Sequence, residues 1–209
     1  MLSNFDPYII AATIPAILIG FTFHEYAHAW MANRLGDPTA RMLGRLTLDP
    51  TKHLDPLGTL LIFLAGFGWA KPVPVTLTNI RGNRKLGDIM ISLAGPAANI
   101  IVAFITILIV GWFGPFNSDI ANTILARMIE INVLLAAFNL LPIPPLDGSS
   151  LLMNLWPGRR PAWLYTLEQY NIFILLILVF TGVLWNIMVP LMAAIEGTLF
   201  FLASLLMVF

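Results

Sequence analysis

The chain has 209 residues and a mean hydropathy of +0.85, with 58% hydrophobic and 11% charged residues, against about 45–50% and about 25% in soluble domains. Too few charges remain to solvate a globular surface, so the sequence reads as a single integral-membrane domain over 1–209. A formal net charge of +0 gives no drive for nucleic-acid binding, and the lack of cysteine excludes disulfides, thiolate zinc sites and cysteine nucleophiles.

A spanning helix needs about 20 apolar residues. The first candidate runs from Tyr8 to Ala32, although Thr13, Thr22, His24, Glu25 and His28 interrupt it. Asp6 precedes it, with no basic flank, which argues against a cleaved signal peptide. Residues 40–48 alternate loosely between apolar and polar, and Val73–Leu77 is short, β-branched and proline-bearing, so both predict short strands. Between them, Leu57–Ala70 offers only 14 apolar positions and predicts a re-entrant or interfacial segment. Non-helical backbone at membrane depth is tolerated only where protein or a wet cavity covers it. Further spans are predicted from Leu86 to Phe113 and from Arg127 or Met128 to Leu141. From Asn171 to Phe209 only Glu196 can ionise, and a break is expected at Pro190, giving two spans or one span and a surface helix. The expected fold is an all-α polytopic membrane protein of about five to six transmembrane segments, with a small membrane-embedded β or re-entrant region near residues 40–76.

Positive charges set the orientation. If 57–70 does not cross, ten of the eleven Lys and Arg residues fall on one side and only Arg127 near the other. The N-terminus is then outside, and loops 33–56, 71–85 and 146–168 face the cytoplasm. Trp30, Trp69, Trp156 and Trp163 lie near the boundaries on that side, as an aromatic belt would.

The sequence His24-Glu25-Tyr26-Ala27-His28 is an HExxH motif inside a predicted helix. Residues four apart share a face, so both imidazoles can bind one zinc ion, with Glu25 beside them as a candidate general base. Three ionisable groups in five positions are costly in a membrane and want a reason. A catalytic zinc takes three protein ligands. The third is His53, the only other histidine, or a carboxylate. The best carboxylate is Asp147, in Asn139-Leu140-Leu141-Pro142-Ile143-Pro144-Pro145-Leu146-Asp147-Gly148. Its prolines stop the preceding helix at the cytoplasmic end, at the same depth as His24 and His28.

Together, these motifs resemble the site-2 protease family of intramembrane zinc metalloproteases. The resemblance rests on His24–His28 and on the N-x-x-P-x-P-x-x-D-G pattern of Asn139–Gly148. Gly95-Pro96-Ala97-Ala98-Asn99 and Lys71-Pro72-Val73-Pro74-Val75 support it. It implies zinc ligands at His24, His28 and Asp147, a catalytic base and acid at Glu25, and at Asn139 a catalytic-site amide that binds substrate backbone or the tetrahedral intermediate. It also implies one Zn2+ per chain, transmembrane proteins as substrates, and a β-edge within 40–76 that pairs with unwound substrate. A compact form without PDZ or CBS domain is expected, with a catalytic core over about 8–155 and C-terminal helices over about 163–209. Its size and lack of cysteine fit a prokaryotic inner membrane. The competing reading is a non-proteolytic zinc-binding membrane protein, such as a transporter or an inactive scaffold. A transporter needs no base beside its ligands, and no internal repeat is evident.

Outside these motifs, His53 reads as an interfacial histidine, Asn99 as a site hydrogen bond or helix glue, and Glu196 as interfacial, after the Pro190 break.

Overall fold

In a computed structural model of the chain, residues 6–58, 68–156 and 161–207 are described. Helix α1 (Pro7–Arg34) starts where the Asp6 carboxylate accepts the Tyr8 amide and Pro7 fills the first turn. A four-residue helix α2 (Thr39–Met42) follows, then, among the described residues, loops with short 3-10 turns at Pro50–Lys52 and Leu77–Asn79, and α3 (Arg84–Phe113) begins under an Asn83 cap. Next come α4 (Asp119–Asn139), the short α5 (Gly148–Leu155) and α6 (Ala162–Gln169), then α7 (Asn171–Phe180) and α8 (Val183–Leu206).

Four helices, α1, α3, α4 and α8, are long and apolar enough to cross a membrane. A fifth span results if α6 and α7, bent 73° from one another, count as one. The chain is thus an all-helical integral membrane protein with four or five candidate spans among the described residues. Helices α1, α3 and α4 pack on one another through small residues, with Ala12, Ala16, Ala29, Ala103 and Ala136 all fully buried. Helix α8 closes the other side of α3 and α4 through Ala103, Ile107, Val133, Leu199 and Ala203. Large apolar side chains such as Phe113, Phe173, Phe180 and Phe201 point outward, as lipid-facing residues do.

Three expectations change. Helix α4 begins eight residues before Arg127, at a Ser118 cap whose hydroxyl accepts the Ala121 amide, and within it Arg127 pairs with Glu130 one turn along (2.5 Å). The C-terminal break lies at Thr181–Gly182, where Gly182 adopts a left-handed φ of +74°, and Pro190 sits within α8. Glu196 is therefore half-buried within a continuous helix rather than beyond a break.

The strands expected over 40–48 and 73–77 do not form among the described residues. Residues 40–42 belong to α2, and one isolated antiparallel bridge, Leu54 with Ala70, is all the β pairing found there. Pro72 and Pro74 have no N–H to donate to a ladder. The re-entrant segment expected over 57–70 falls largely on 59–67, outside the described residues.

Candidate metal centre

His24 and His28 occupy one buried face of α1, one turn apart, with their Nε2 atoms 3.0 Å from each other. The Asp147 Oδ2 atom lies 3.1 Å from His24 Nε2 and 3.3 Å from His28 Nε2. Asp147 gets there because Pro142, Pro144 and Pro145 keep the chain non-helical after α4 ends at Asn139. Leu146, wedged among Ala137, Leu141, Leu184 and Met188, anchors that turn in the core. Among the described residues, His24, His28 and Asp147 form the one group of three or more acidic or imidazole ligands able to hold a metal ion.

Hydrogen bonds from α3 fix the tautomers of both rings. His24 Nδ1 donates to Asn99 Oδ1 and His28 Nδ1 donates to the Ile91 carbonyl, each at 2.7 Å. The Asn99 amide cannot be turned around, because its nitrogen donates to the Gly20 carbonyl and to Asn132 Oδ1, both at 3.0 Å. With each proton assigned to Nδ1, both Nε2 atoms present lone pairs. Asp147 Oδ2, itself buried and without a hydrogen bond, completes three mutually facing acceptors. Such a cluster repels itself unless a cation sits at its centre. Tetrahedral zinc with bonds of about 2.0–2.1 Å spaces its ligands about 3.3 Å apart, close to what is found. The donor set fits zinc.

The backbone of α3 passes directly over the two rings. A Cβ at Gly95 would lie 2.4 Å from His28 Nε2 and 2.6 Å from His24 Cε1, so only glycine permits this approach.

The family model of peptidase family M50 matches residues 12–121 and 116–182. The candidate zinc metalloprotease YwhC of Bacillus subtilis (strain 168) is 38% identical over 190 residues, 86% of this chain and 84% of its own. The candidate zinc metalloprotease Rip2 of Mycolicibacterium smegmatis is 31% identical over 182 residues, covering 84% of this chain and 69% of its own. Rip2 of Mycobacterium tuberculosis (strain H37Rv), named likewise, is 30% identical over 176 residues, covering 81% and 67%. The chain belongs to peptidase family M50. No solved structure matches it.

For an M50 metalloprotease, zinc is the cofactor, and the three-residue cluster is where this chain could hold it. Glu25, 7% exposed, shares a cavity of about 460 Å³ with the cluster. Its Oε2 accepts the Val73 amide at 3.0 Å. Val73 belongs to an extended strap, residues 69–76, that crosses the site without a strand ladder. Side chains hold the strap instead. Arg45, 7% exposed, donates to the carbonyls of Lys71 (2.5 Å) and Pro72 (3.1 Å). Asp37, fully buried just beyond α1, accepts the Thr76 amide at 2.6 Å, the Asn79 side chain at 2.9 Å and the Thr39 amide and hydroxyl. Burial opposes the ionisation of Asp37, but the bonds from Thr39, Thr76 and Asn79 outweigh it and hold the carboxyl below the usual range.

Asn139 also lines the cavity, its amide nitrogen donating to the Leu135 carbonyl at 3.0 Å. His53 does not join the metal cluster. It is fully buried within the chain, its Nε2 donating to the Thr47 carbonyl at 2.7 Å, and its own carbonyl accepts the Lys71 amide at 2.8 Å. Asn99 acts as both of the expected things at once, a hydrogen bond to the site and a link between α1, α3 and α4.

Sequence reasoning missed Asn132, Arg45, Asp37 and the Val73 amide. Only Asn132 left a signal. It is a polar residue inside a spanning helix, seven positions before Asn139 and so on the same side of α4.

Proposed function

We propose that the chain is an intramembrane zinc endopeptidase that hydrolyses peptide bonds within transmembrane segments of other membrane proteins. One metalloprotease domain over 1–209 carries the activity, with a catalytic core of about 8–155 and C-terminal helices over about 163–209. The observation that carries the reading is a base, Glu25, sharing one cavity with a three-ligand cluster inside a bundle of membrane-length helices. A metal store or carrier would need the ligands alone.

In this reading His24, His28 and Asp147 hold the zinc. Zinc, when bound, supplies Lewis acidity for the scissile carbonyl and makes the attacking water more acidic. Glu25 accepts the proton of that water and returns it to the departing amine. Its Oε2 accepts the Val73 amide and the second carboxylate oxygen takes the proton, so the strap positions the base. Asn139 donates its amide to the substrate backbone beside the reacting carbonyl. Asn99 and Ile91 keep both imidazole rings aimed at one point throughout.

Substrate enters from the lipid. An apolar groove lined by Ile17, Ile131, Leu134, Trp185 and Met188 shares Phe21, Gly68, Leu135 and Phe138 with the site cavity. It suits a membrane segment arriving between α1, α4 and α8. The substrate must unwind at the site, because helical backbone hides its carbonyls in hydrogen bonds. The sequence supports a site on the cytoplasmic side, since ten of the eleven Lys and Arg residues fall on one side if 57–70 does not cross, and size and lack of cysteine fit a prokaryotic inner membrane as the setting.

The test is cleavage of tagged single-span proteins by the purified chain in detergent, run beside Glu25→Gln with zinc measured on both. Cleavage by the unmodified chain alone, with near-stoichiometric zinc in both, is expected. Equal cleavage by both proteins would overturn the role of Glu25, and a folded protein that takes up no zinc would overturn the whole reading.

A further inference from the structure

The site cavity has two unlike ends. One is apolar, at Phe21, Leu135 and Phe138, where it joins the lipid-facing groove. The other is polar, lined by Asp88 and Ser92 of α3. No lysine or arginine lines any part of it among the described residues, while Glu25, Asp147 and Asp88 all do. Glu25 and Asp147 belong to the catalytic machinery. Asp88 has no part in it.

Asp88 is nevertheless held in place. Asn154 of α5 donates to Asp88 Oδ2 (2.5 Å) and also to the Ser150 carbonyl (2.9 Å), while Ser92 and Ser150 join their hydroxyls at 2.8 Å. These contacts seam α3 to α5 and orient the carboxylate. Arg84, one turn earlier, donates to the Thr78 carbonyl, and Lys85 is exposed. The ion pairs found among the described residues do not include Asp88.

We infer that Asp88 is a specificity subsite for a lysine or arginine side chain of the substrate, placed about three residues from the scissile bond on the polar side of the cavity. The inference rests on the endopeptidase reading. The distance follows from α3 itself. Asp88, Ile91, Ser92, Gly95 and Asn99 recur at helical spacing along one face, and Gly95 lies against both imidazole rings. Seven residues of α-helix rise about 10 Å. An extended substrate strand covers that length in about three residues, at about 3.3 Å each. A membrane segment whose apolar part lies in the groove presents its flank at this end, and cytoplasmic flanks of membrane segments are rich in lysine and arginine. The subsite thus distinguishes substrates by the residue that follows the apolar stretch.

The test uses fluorescent single-span peptides, with the cleavage position first mapped by mass spectrometry, carrying Lys, Gln or Glu three residues from it on the polar side. Binding is measured at low salt on zinc-loaded Glu25→Gln protein, so the readout does not depend on turnover. The Lys peptide is expected to bind about tenfold more tightly than the Glu peptide, the separation that one oriented, half-buried charge gives between opposite signs. Asp88→Asn keeps the side-chain shape and an acceptor for Asn154, and should bring the two within about twofold. Asp88→Arg should invert the order. A Lys-to-Glu ratio near one, or one that survives Asp88→Asn while all peptides weaken alike, would assign Asp88 to structure only and overturn the inference. Cleavage of the Gln peptide by the Glu25 protein, but not by Glu25→Gln, tests the endopeptidase reading separately.

Discussion

Gly95→Ala is the smallest change that should empty the metal centre. The added methyl would stand 2.4 Å from His28 Nε2, 2.6 Å from His24 Cε1 and 2.7 Å from His24 Nε2. Ordinary van der Waals contact begins at 3.4 Å, so His28 Nε2 must retreat by about 1 Å. Neither ring can swing away freely. Each is tied through Nδ1 to α3, the same helix that carries the methyl group. Either those bonds break or α3 lifts from α1, and both outcomes spread the ligand atoms. Zinc bonds tolerate about 0.2 Å, so a 1 Å shift exceeds what the site can absorb. The expected loss in zinc affinity is at least about 100-fold, the upper end of what disturbed supporting contacts cost. The assay is competition with a chromophoric chelator, with the absorption spectrum of the cobalt-substituted protein as a geometric readout. Gly87→Ala serves as the control, because its methyl would press 2.5 Å from Ile80 Cγ2, far from the metal, and should lower thermal stability while zinc stays bound. Stoichiometric zinc with unchanged affinity and an unchanged cobalt spectrum in Gly95→Ala would refute the reasoning.

Three further outcomes follow from the same contacts. Asn132→Leu removes the acceptor that orients Asn99 and should weaken zinc about 10- to 100-fold by freeing the His24 ring, measured by the same chelator competition. Arg45→Met removes two charge-assisted bonds to the strap, and should speed hydrogen exchange at the Val73 amide and lower turnover while zinc content stays at one per chain. The Asp37 carboxyl titrates lower in the folded chain than unfolded. Its stabilisation is therefore full above the ordinary carboxylate range, near pH 4, and is lost as the pH falls through the folded value. Thermal unfolding should show that acid-side loss, and Asp37→Asn should remove it. The variant should also lose about 1–3 kcal/mol at neutral pH, by setting an amide NH2 against the N–H donors that Asp37 now accepts.

What the sequence made legible was whatever repeats with the helix. His24 and His28 could be paired on paper because four residues bring two side chains to one face. Asp147 could be matched with them because the prolines after Asn139 end α4 on the side where α1 also ends. The misplaced boundaries share a cause, the treatment of single residues as stops. Arg127 looked like the edge of a span, yet Glu130 pairs with it one turn on. Pro190 looked like a break, but the preceding turn already has a left-handed glycine to end α7 and expose α8's start.

The strap was illegible for a different reason. Its shape is set by side chains that reach the backbone over long sequence distances, Arg45 to Lys71 and Pro72, Asp37 to Thr76, Glu25 to Val73. No period announces such bonds, and a lone arginine in a loop reads as an orientation signal. The division has a functional side. The candidate ligands His24 and His28 stand on a helix packed by small residues, and Asp147 on a turn that Leu146 anchors in the core, where a displacement costs cooperative repacking. The partner of the base stands on a segment held by a few hydrogen bonds, which can open locally at far lower cost. The proposed reaction asks the strap to admit substrate beside Glu25 while His24, His28 and Asp147 keep their positions. The fold assigns the mobile step and the rigid step to the two kinds of structure able to perform them.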